Sequence, residues 1–331
     1  MKCGRSGPPP AWSDLSCSPA YLCDLLVALL DGRDQDLAAE LSSSPALFDA
    51  FAMLVERHRL GCYLAARLAD SPVRPMLPYS LWRSIVSRLE QQQQRTASIL
   101  AELHWLQPHF VQAGIPLMLL KGPELAARFH GGLHRRGYGD LDLLVHERDR
   151  QAAMQLLETL GYALRSRVLL SRSLMATVHH GFDFERQGLR LDLHWCLSRQ
   201  PGYRIDEAAF WERRLTWWYG DLAIEVPHPQ DELHLLLISA FADLQRGALR
   251  LQSLLDVQAL LAALAPLDLE VVLASRRSER TAEVCRGLLV HAESEQARGF
   301  YEHLIPEFER SPTDPLHLLL LLKDIRHTLR R

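Results

Sequence analysis

Asparagine is absent from this 331-residue chain, and lysine occurs only at Lys2, Lys121 and Lys323. Arginine carries nearly all of the positive charge, as a GC-rich coding background would produce. Against that bias, a lysine at position 121 hints that an ammonium is wanted there. A net charge of −3 argues against a broad nucleic-acid footprint and leaves room only for a local basic patch, such as Arg128, Arg135 and Arg136. The cysteines, Cys3, Cys17, Cys23, Cys62, Cys196 and Cys285, include no C-x-x-C pair, which excludes the common zinc spacings. No secretory signal is evident, so a reduced, cytoplasmic setting is expected. The longest apolar runs, such as Leu235–Ala242 and Leu318–Leu322, fall far short of the roughly 20 residues that span a bilayer, and no membrane partner is expected. Met1–Pro10 is rich in glycine and proline and is expected to be frayed.

What is present describes a globular protein: 48% hydrophobic and 23% charged residues, with a length that predicts two or three subdomains. Residues 1–106 read as an N-terminal helical region. Tyr21–Leu30, Ala46–Ala69 and Leu81–Leu106 carry apolar residues at helical spacing, with breaks at Ser42–Pro45 and Ser71–Pro78. Gln91–Gln94 reads as a solvated helix face.

The pattern changes at Gly114-Ile115-Pro116. Pro116–Leu120 reads as a short buried strand. Pro123–Phe129 suits a helix that opens on proline, where a missing N–H costs little, and Gly131-Gly132 ends it. Tyr138–Val145 reads as a strand and Glu147–Leu160 as a helix stopped by Gly161. Tyr162–Leu169 is a weaker strand. His180–Arg186 and Leu189–Leu197 alternate around Gln187-Gly188 as a hairpin. The segment from Ile205 to Trp218 looks helical, with Trp211, Trp217 and Trp218 as a packing group. Leu222–Val226 is a short strand, and Gln230 onward is helical. An α+β fold with a mixed sheet follows, its core at 107–228 and a C-terminal helical region at 229–331. The helices from Gln230 to Leu264 are expected to wall one side of a cleft.

Leu117–Val145 holds the chemistry. In a strand, residues two apart share a face, so Asp140 and Asp142 present paired carboxylates, and leucines on either side make such a pair costly unless it is paired or coordinating. Asp192 lies on the second hairpin strand, which could be a neighbour. Three carboxylates suit Mg²⁺, with Mn²⁺ a further possibility, and two ions would serve in-line phosphoryl displacement. The Lys121-Gly122 turn before a helix would let backbone N–H groups approach phosphate, with Lys121 neutralising a terminal phosphate. Arg136 binds phosphate or braces its loop. His194 is expected to orient a neighbour or pack on Trp195. Of His179 and His180, adjacent in a strand, at most one can face the site, and His180 is the better candidate.

Leu120-Lys121-Gly122, Arg136, Gly139–Val145, Gly161-Tyr162, His179-His180 and Leu191–Trp195 resemble the uncharacterised nucleotidyltransferase family of the DNA polymerase β-type superfamily. His58-Arg59-Leu60 in the helical lead-in is also similar. The resemblance implies a minimal nucleotidyltransferase core in which Asp140 and Asp142 bind metal and Asp192 is the third carboxylate and general base. It implies an NTP as co-substrate and pyrophosphate as product. The acceptor is open between a sugar, another small molecule, a peptide and a protein. Many relatives in the wider superfamily begin the core with Gly-Ser, where this chain has Lys121-Gly122. Nothing resembles a DNA clamp. The rival readings are a D-x-D glycosyltransferase using a sugar nucleotide, which would need a nucleotide-binding domain upstream, and a catalytically silent nucleotide-binding protein.

Overall fold

The computed structural model describes residues 45–71, 74–165, 180–198, 200, 202–245, 249–264 and 269–286. Met1–Pro10, Tyr21–Leu30, Cys3, Cys17, Cys23, Lys2, Lys323, residues 166–169, His179 and Leu318–Leu322 lie outside them.

Three helices come first: α1 (Pro45–Arg57), α2 (Gly61–Leu68) and α3 (Tyr79–Gln112). The expected single run Ala46–Ala69 is therefore two helices. The break is a C-terminal cap in which Arg59 N–H reaches Glu56 O, Leu60 N–H reaches Val55 O, and Arg59 adopts φ +57°. Apolar spacing continues across this cap, so periodicity alone does not reveal it. α3 runs on through Pro108, beyond the expected end at Leu106. Pro108 lies on the exposed side of the helix, where water can serve the carbonyl it leaves unpaired.

The chain then builds β1 (Met118–Lys121), α4 (Pro123–Phe129), β2 (Asp140–Leu144), α5 (Arg150–Thr159) and β3 (Ala163–Leu164). After these come the hairpin β4 (Gly181–Arg186) and β5 (Leu189–His194), α6 (Glu207–Glu212) and a second hairpin, β6 (Leu215–Tyr219) and β7 (Leu222–Val226). The sheet order is β3-β4-β5-β2-β1-β7-β6. β2 is parallel to β5 and β1 is parallel to β7, while the other neighbours are antiparallel, so the sheet is mixed.

β6 corrects the sequence reading, which made it helical. Leu215–Tyr219 is a β-branched and aromatic run followed by Gly220-Asp221, a two-residue hairpin turn with Gly220 at φ +60°. The tryptophans do not form one packing face. Trp211 is buried on α6, whereas Trp218 on β6 is 66% exposed.

One face of the sheet is apolar. Leu141, Leu143, Leu191, Leu193, Phe182 and Phe184 join one buried cluster with Leu103, Leu106 and Phe110 of α3 and Leu157 of α5. Strand alternation therefore turns the intervening polar residues of β2 and β5 to the other face. A second cluster unites α1, α2 and the start of α3 with α7 (Pro229–Gln245), α8 (Leu251–Leu264) and α9 (Leu269–Ser278). The N-terminal and C-terminal helices thus pack on one another. Among the described residues, no helix is long and apolar enough to cross a membrane.

Candidate active site

A cleft of about 680 Å³ lies over the polar face of β2 and β5, and its walls include residues of α7 and α8. Strand register sets a row of charged residues, of which Lys121, Asp142 and Asp192 line the cleft. A bulge in the pairing of β1 with β2 places Lys121 opposite Asp142. Asp142 is the Cα partner of Asp192, and Asp192 is the partner of Asp183.

Asp142 is the buried member, 4% exposed. Its Oδ1 lies 3.3 Å from Lys121 Nζ and 3.1 Å from His194 Nε2. Burial opposes its ionisation, but the ammonium and the hydrogen bond from His194 outweigh burial and hold the carboxyl well below the usual carboxylate range. The Asp142 charge in turn holds Lys121 above its ordinary value. Asp192 moves the other way. Burial, then the charges of Asp142, Asp183 and Asp140, push its carboxyl up to about 8. One donor atom each from Asp142, Asp192 and His194 lie within 4.8 Å of one another, a spacing that could hold a metal ion. Asp140 lines the same cleft but is not part of that group.

Gly122 separates β1 from α4 with φ +108°, a backbone conformation in which side chains are strained. Pro123 opens α4. Arg136 lines the cleft with its Nε and Nη2 bound to the two oxygens of Asp256 on α8, at 2.7 and 2.8 Å. Burial works against its charge, but Asp256 restores it and raises the guanidinium above its usual value. His130 Nε2 holds the same carboxylate at 2.8 Å. Of the two roles considered for Arg136, the contacts are those of a brace. Gln92 accepts from Tyr138 N–H, and the Tyr138 hydroxyl shares a 2.8 Å hydrogen bond with Thr96, so the loop before Asp140 is pinned to α3 as well.

His194 turns away from Trp195, which is fully buried beneath the sheet with its ring edge against Phe182. Its ring stacks on His180 at 5.3 Å instead, and His180 lines the cleft. Sequence reading assigns no role to Asp183, Asp256 or Arg250, and Arg59 enters it only through the His58-Arg59-Leu60 resemblance. Asp183 was available to it: the two-residue Gln187-Gly188 turn pairs 186 with 189, and counting back sets 183 opposite 192. Asp256 and Arg250 come from a distant helix and the connection before it and carry no local signal.

Residues 44–294 match the signature of a family described as "Uncharacterised nucleotidyltransferase". The chain belongs to this family. This nucleotidyltransferase also shares a segment of 41 residues, 61% identical, with a tRNA-acetylating toxin of Mycobacterium tuberculosis; the match covers 12% of this chain and 24% of the toxin, so the chain spans about a quarter of that relative. Among solved structures it is similar to the antibiotic-resistance factor ANT(2'')-Ia in solution, at 14% identity and TM-score 0.41, over 58% of this chain and 95% of that one. The lincomycin-bound lincosamide antibiotic adenylyltransferase LnuA is similar at 17% identity and TM-score 0.35, over 48% of this chain and 94% of that one. Neither structural likeness bears on what this nucleotidyltransferase accepts.

Proposed function

We propose that the cleft moves a nucleotidyl group from a nucleoside triphosphate to an acceptor and releases pyrophosphate. The observation that carries this reading is the direct opposition of Asp142 and Asp192 on adjacent parallel strands, in a cleft open to a ligand. Carboxylates crowded in this way raise one another's cost of ionisation, and a divalent cation relieves it. The donor set fits a hard ion such as Mg²⁺ or Mn²⁺. Asp142 and Asp192 offer carboxylate oxygens, and Asp140 adds a third carboxylate to the same cleft. His194 suits a supporting role, since its Nε2 is already committed to Asp142 and would fix the orientation of that carboxylate. When bound, such an ion supplies charge neutralisation to the phosphoryl oxygens.

The chain's own residues do the remainder. Lys121 and His194 keep Asp142 ionised and oriented. Asp192 lies in the cleft directly opposite Asp142, and we assign it the acceptor's proton. As that proton leaves, the acceptor atom bonds to the α-phosphorus. The bridging P–O bond to the β-phosphate breaks, and pyrophosphate departs with the electron pair. Lys121 and Gly122 line the same cleft.

Incubation with labelled NTPs and UDP-sugars in the presence of Mg²⁺ and an extract of small molecules tests the reading. Pyrophosphate release supports nucleotidyl transfer. UDP release would establish glycosyl transfer in its place.

A further inference from the structure

Among the described residues, four lysine or arginine side chains line the cleft: Arg59, Lys121, Arg136 and Arg250. Two are committed. Lys121 pairs with Asp142, and Arg136 grips both oxygens of Asp256. The guanidinium groups of Arg59 and Arg250 make no ion pair or hydrogen bond among the described residues.

These two like charges are brought together by the fold. Arg59 follows His58, and Arg250 precedes Leu251. His58 is 2% exposed, and its Nδ1 accepts a hydrogen bond from Leu251 N–H at 3.2 Å. That contact ties chain positions 193 residues apart and holds the immediate neighbours of both arginines. Burial and then the Arg250 charge make Arg59 a weaker base than usual, while the Asp140 carboxylate pulls the other way. Both arginines therefore line one cleft together with Asp140, Asp142 and Asp192.

Arg59 also occupies a position that favours glycine. The caps after α3 and α5 have the same hydrogen-bond pattern and place Gly114 and Gly161 at the residue with positive φ. The caps after α1 and α9 use Arg59 and Arg280 there, at φ +57° and +61°. Of these two arginines, Arg59 lines the cleft. An arginine kept at a position that favours glycine, with a second arginine lining the same cleft, suits an anionic ligand, and planar guanidinium groups match the oxygens of a phosphate chain.

We propose that Arg59 and Arg250 form a clamp for the β- and γ-phosphates of the nucleotide donor, in the cleft that the Lys121-Gly122 turn also lines. The inference rests on the nucleotidyl-transfer reading and adds the residues that hold the leaving group. It also accounts for the absence of a Gly-Ser pair at positions 121–122, since the polyphosphate is gripped from the helical side.

Calorimetric titration of the full chain with Mg²⁺ and the α,β-methylene analogues of ATP, GTP, CTP and UTP tests it. Inorganic tripolyphosphate and the matching nucleoside monophosphate serve as partial ligands. Arg59→Gly and Arg250→Ala should each bind the triphosphate analogue and tripolyphosphate about tenfold or more weakly, each losing charge-assisted hydrogen bonds. Monophosphate affinity should stay within about twofold of wild type, because the clamp lies beyond the α-phosphate. Arg59→Lys should fall between. Arg59→Gly should melt no lower than wild type, which separates lost binding from lost folding. Arg280→Gly, at the same kind of cap away from the cleft, should bind every ligand as wild type does. Triphosphate affinity unchanged in the Arg59 and Arg250 variants would overturn the clamp and leave the nucleotidyl-transfer reading standing. A wild-type chain that bound no triphosphate would overturn both.

Discussion

Asp142 and Asp192 are Cα partners in the parallel pairing of β2 with β5, and Asp183 flanks Asp192 on the next strand. Lys121 reaches only the Asp142 end of this row. The charge balance is therefore lopsided: Asp142 is neutralised, whereas Asp192 is crowded by carboxylates.

That imbalance has a consequence for stability. Asp192→Asn removes a crowded carboxylate, and in EDTA the variant should exceed wild type by about 1 kcal/mol or more, as substitutions that relieve a strained active site often do. In millimolar MgCl₂ the order should reverse, since wild type gains a ligand and the variant has lost one. Thermal melting in both buffers reads the two effects. A variant less stable than wild type in EDTA would show that the row is not frustrated. The same variant should lose turnover.

Gly122 tests the turn beneath Lys121. An added Cβ would meet nothing closer than Asp140 O at 3.9 Å, so space is not what requires glycine there. Its φ of +108° is. Gly122→Ala should cost about 1–3 kcal/mol through backbone strain alone. Urea denaturation checks this, and a loss below about 0.5 kcal/mol would mean that the turn relaxes readily.

Much of this architecture was legible in the residues. The alternation of β2, β4 and β5 and the helix-opening Pro123 set most of the sheet in place, and D-L-D against alternating leucines located the cleft floor. What was not legible has physical causes. Leu215–Tyr219 satisfies both helical and strand spacing, and only the Gly220-Asp221 turn decides it. Arg59 breaks α1 from α2 through a backbone conformation that has no hydrophobic signature. The commitment of Arg136 to Asp256, 120 residues away, depends on how α8 packs. No local pattern encodes a contact of that kind.

Two buried histidines predict how stability depends on pH. Burial, then nearby arginines, lower His58 and His234 from the ordinary 6.5 to about 3. His58 accepts from Leu251 N–H, and His234 shares a 2.8 Å hydrogen bond with Thr281. Both are neutral in the fold, whereas the unfolded chain protonates them near pH 6.5, so the unfolded state binds more protons between those values. Their contribution is complete above about pH 6.5 and is lost as pH falls toward 3. Between pH 7 and 5 each should account for roughly 2 kcal/mol of lost stability. Urea midpoints for wild type and His58→Gln over that range measure it; equal slopes would contradict the assignment.

The central claim is that Asp142 and Asp192 hold a divalent cation together with a nucleoside triphosphate. Calorimetric titration of the wild-type chain with non-hydrolysable NTP analogues, in Mg²⁺ and again in EDTA, tests it most directly when repeated on Asp142→Asn. The account predicts binding by wild type in Mg²⁺, loss in EDTA, and loss in Asp142→Asn even with Mg²⁺ present. Equal affinity in EDTA, or an Asp142→Asn variant that binds as wild type does, would contradict it.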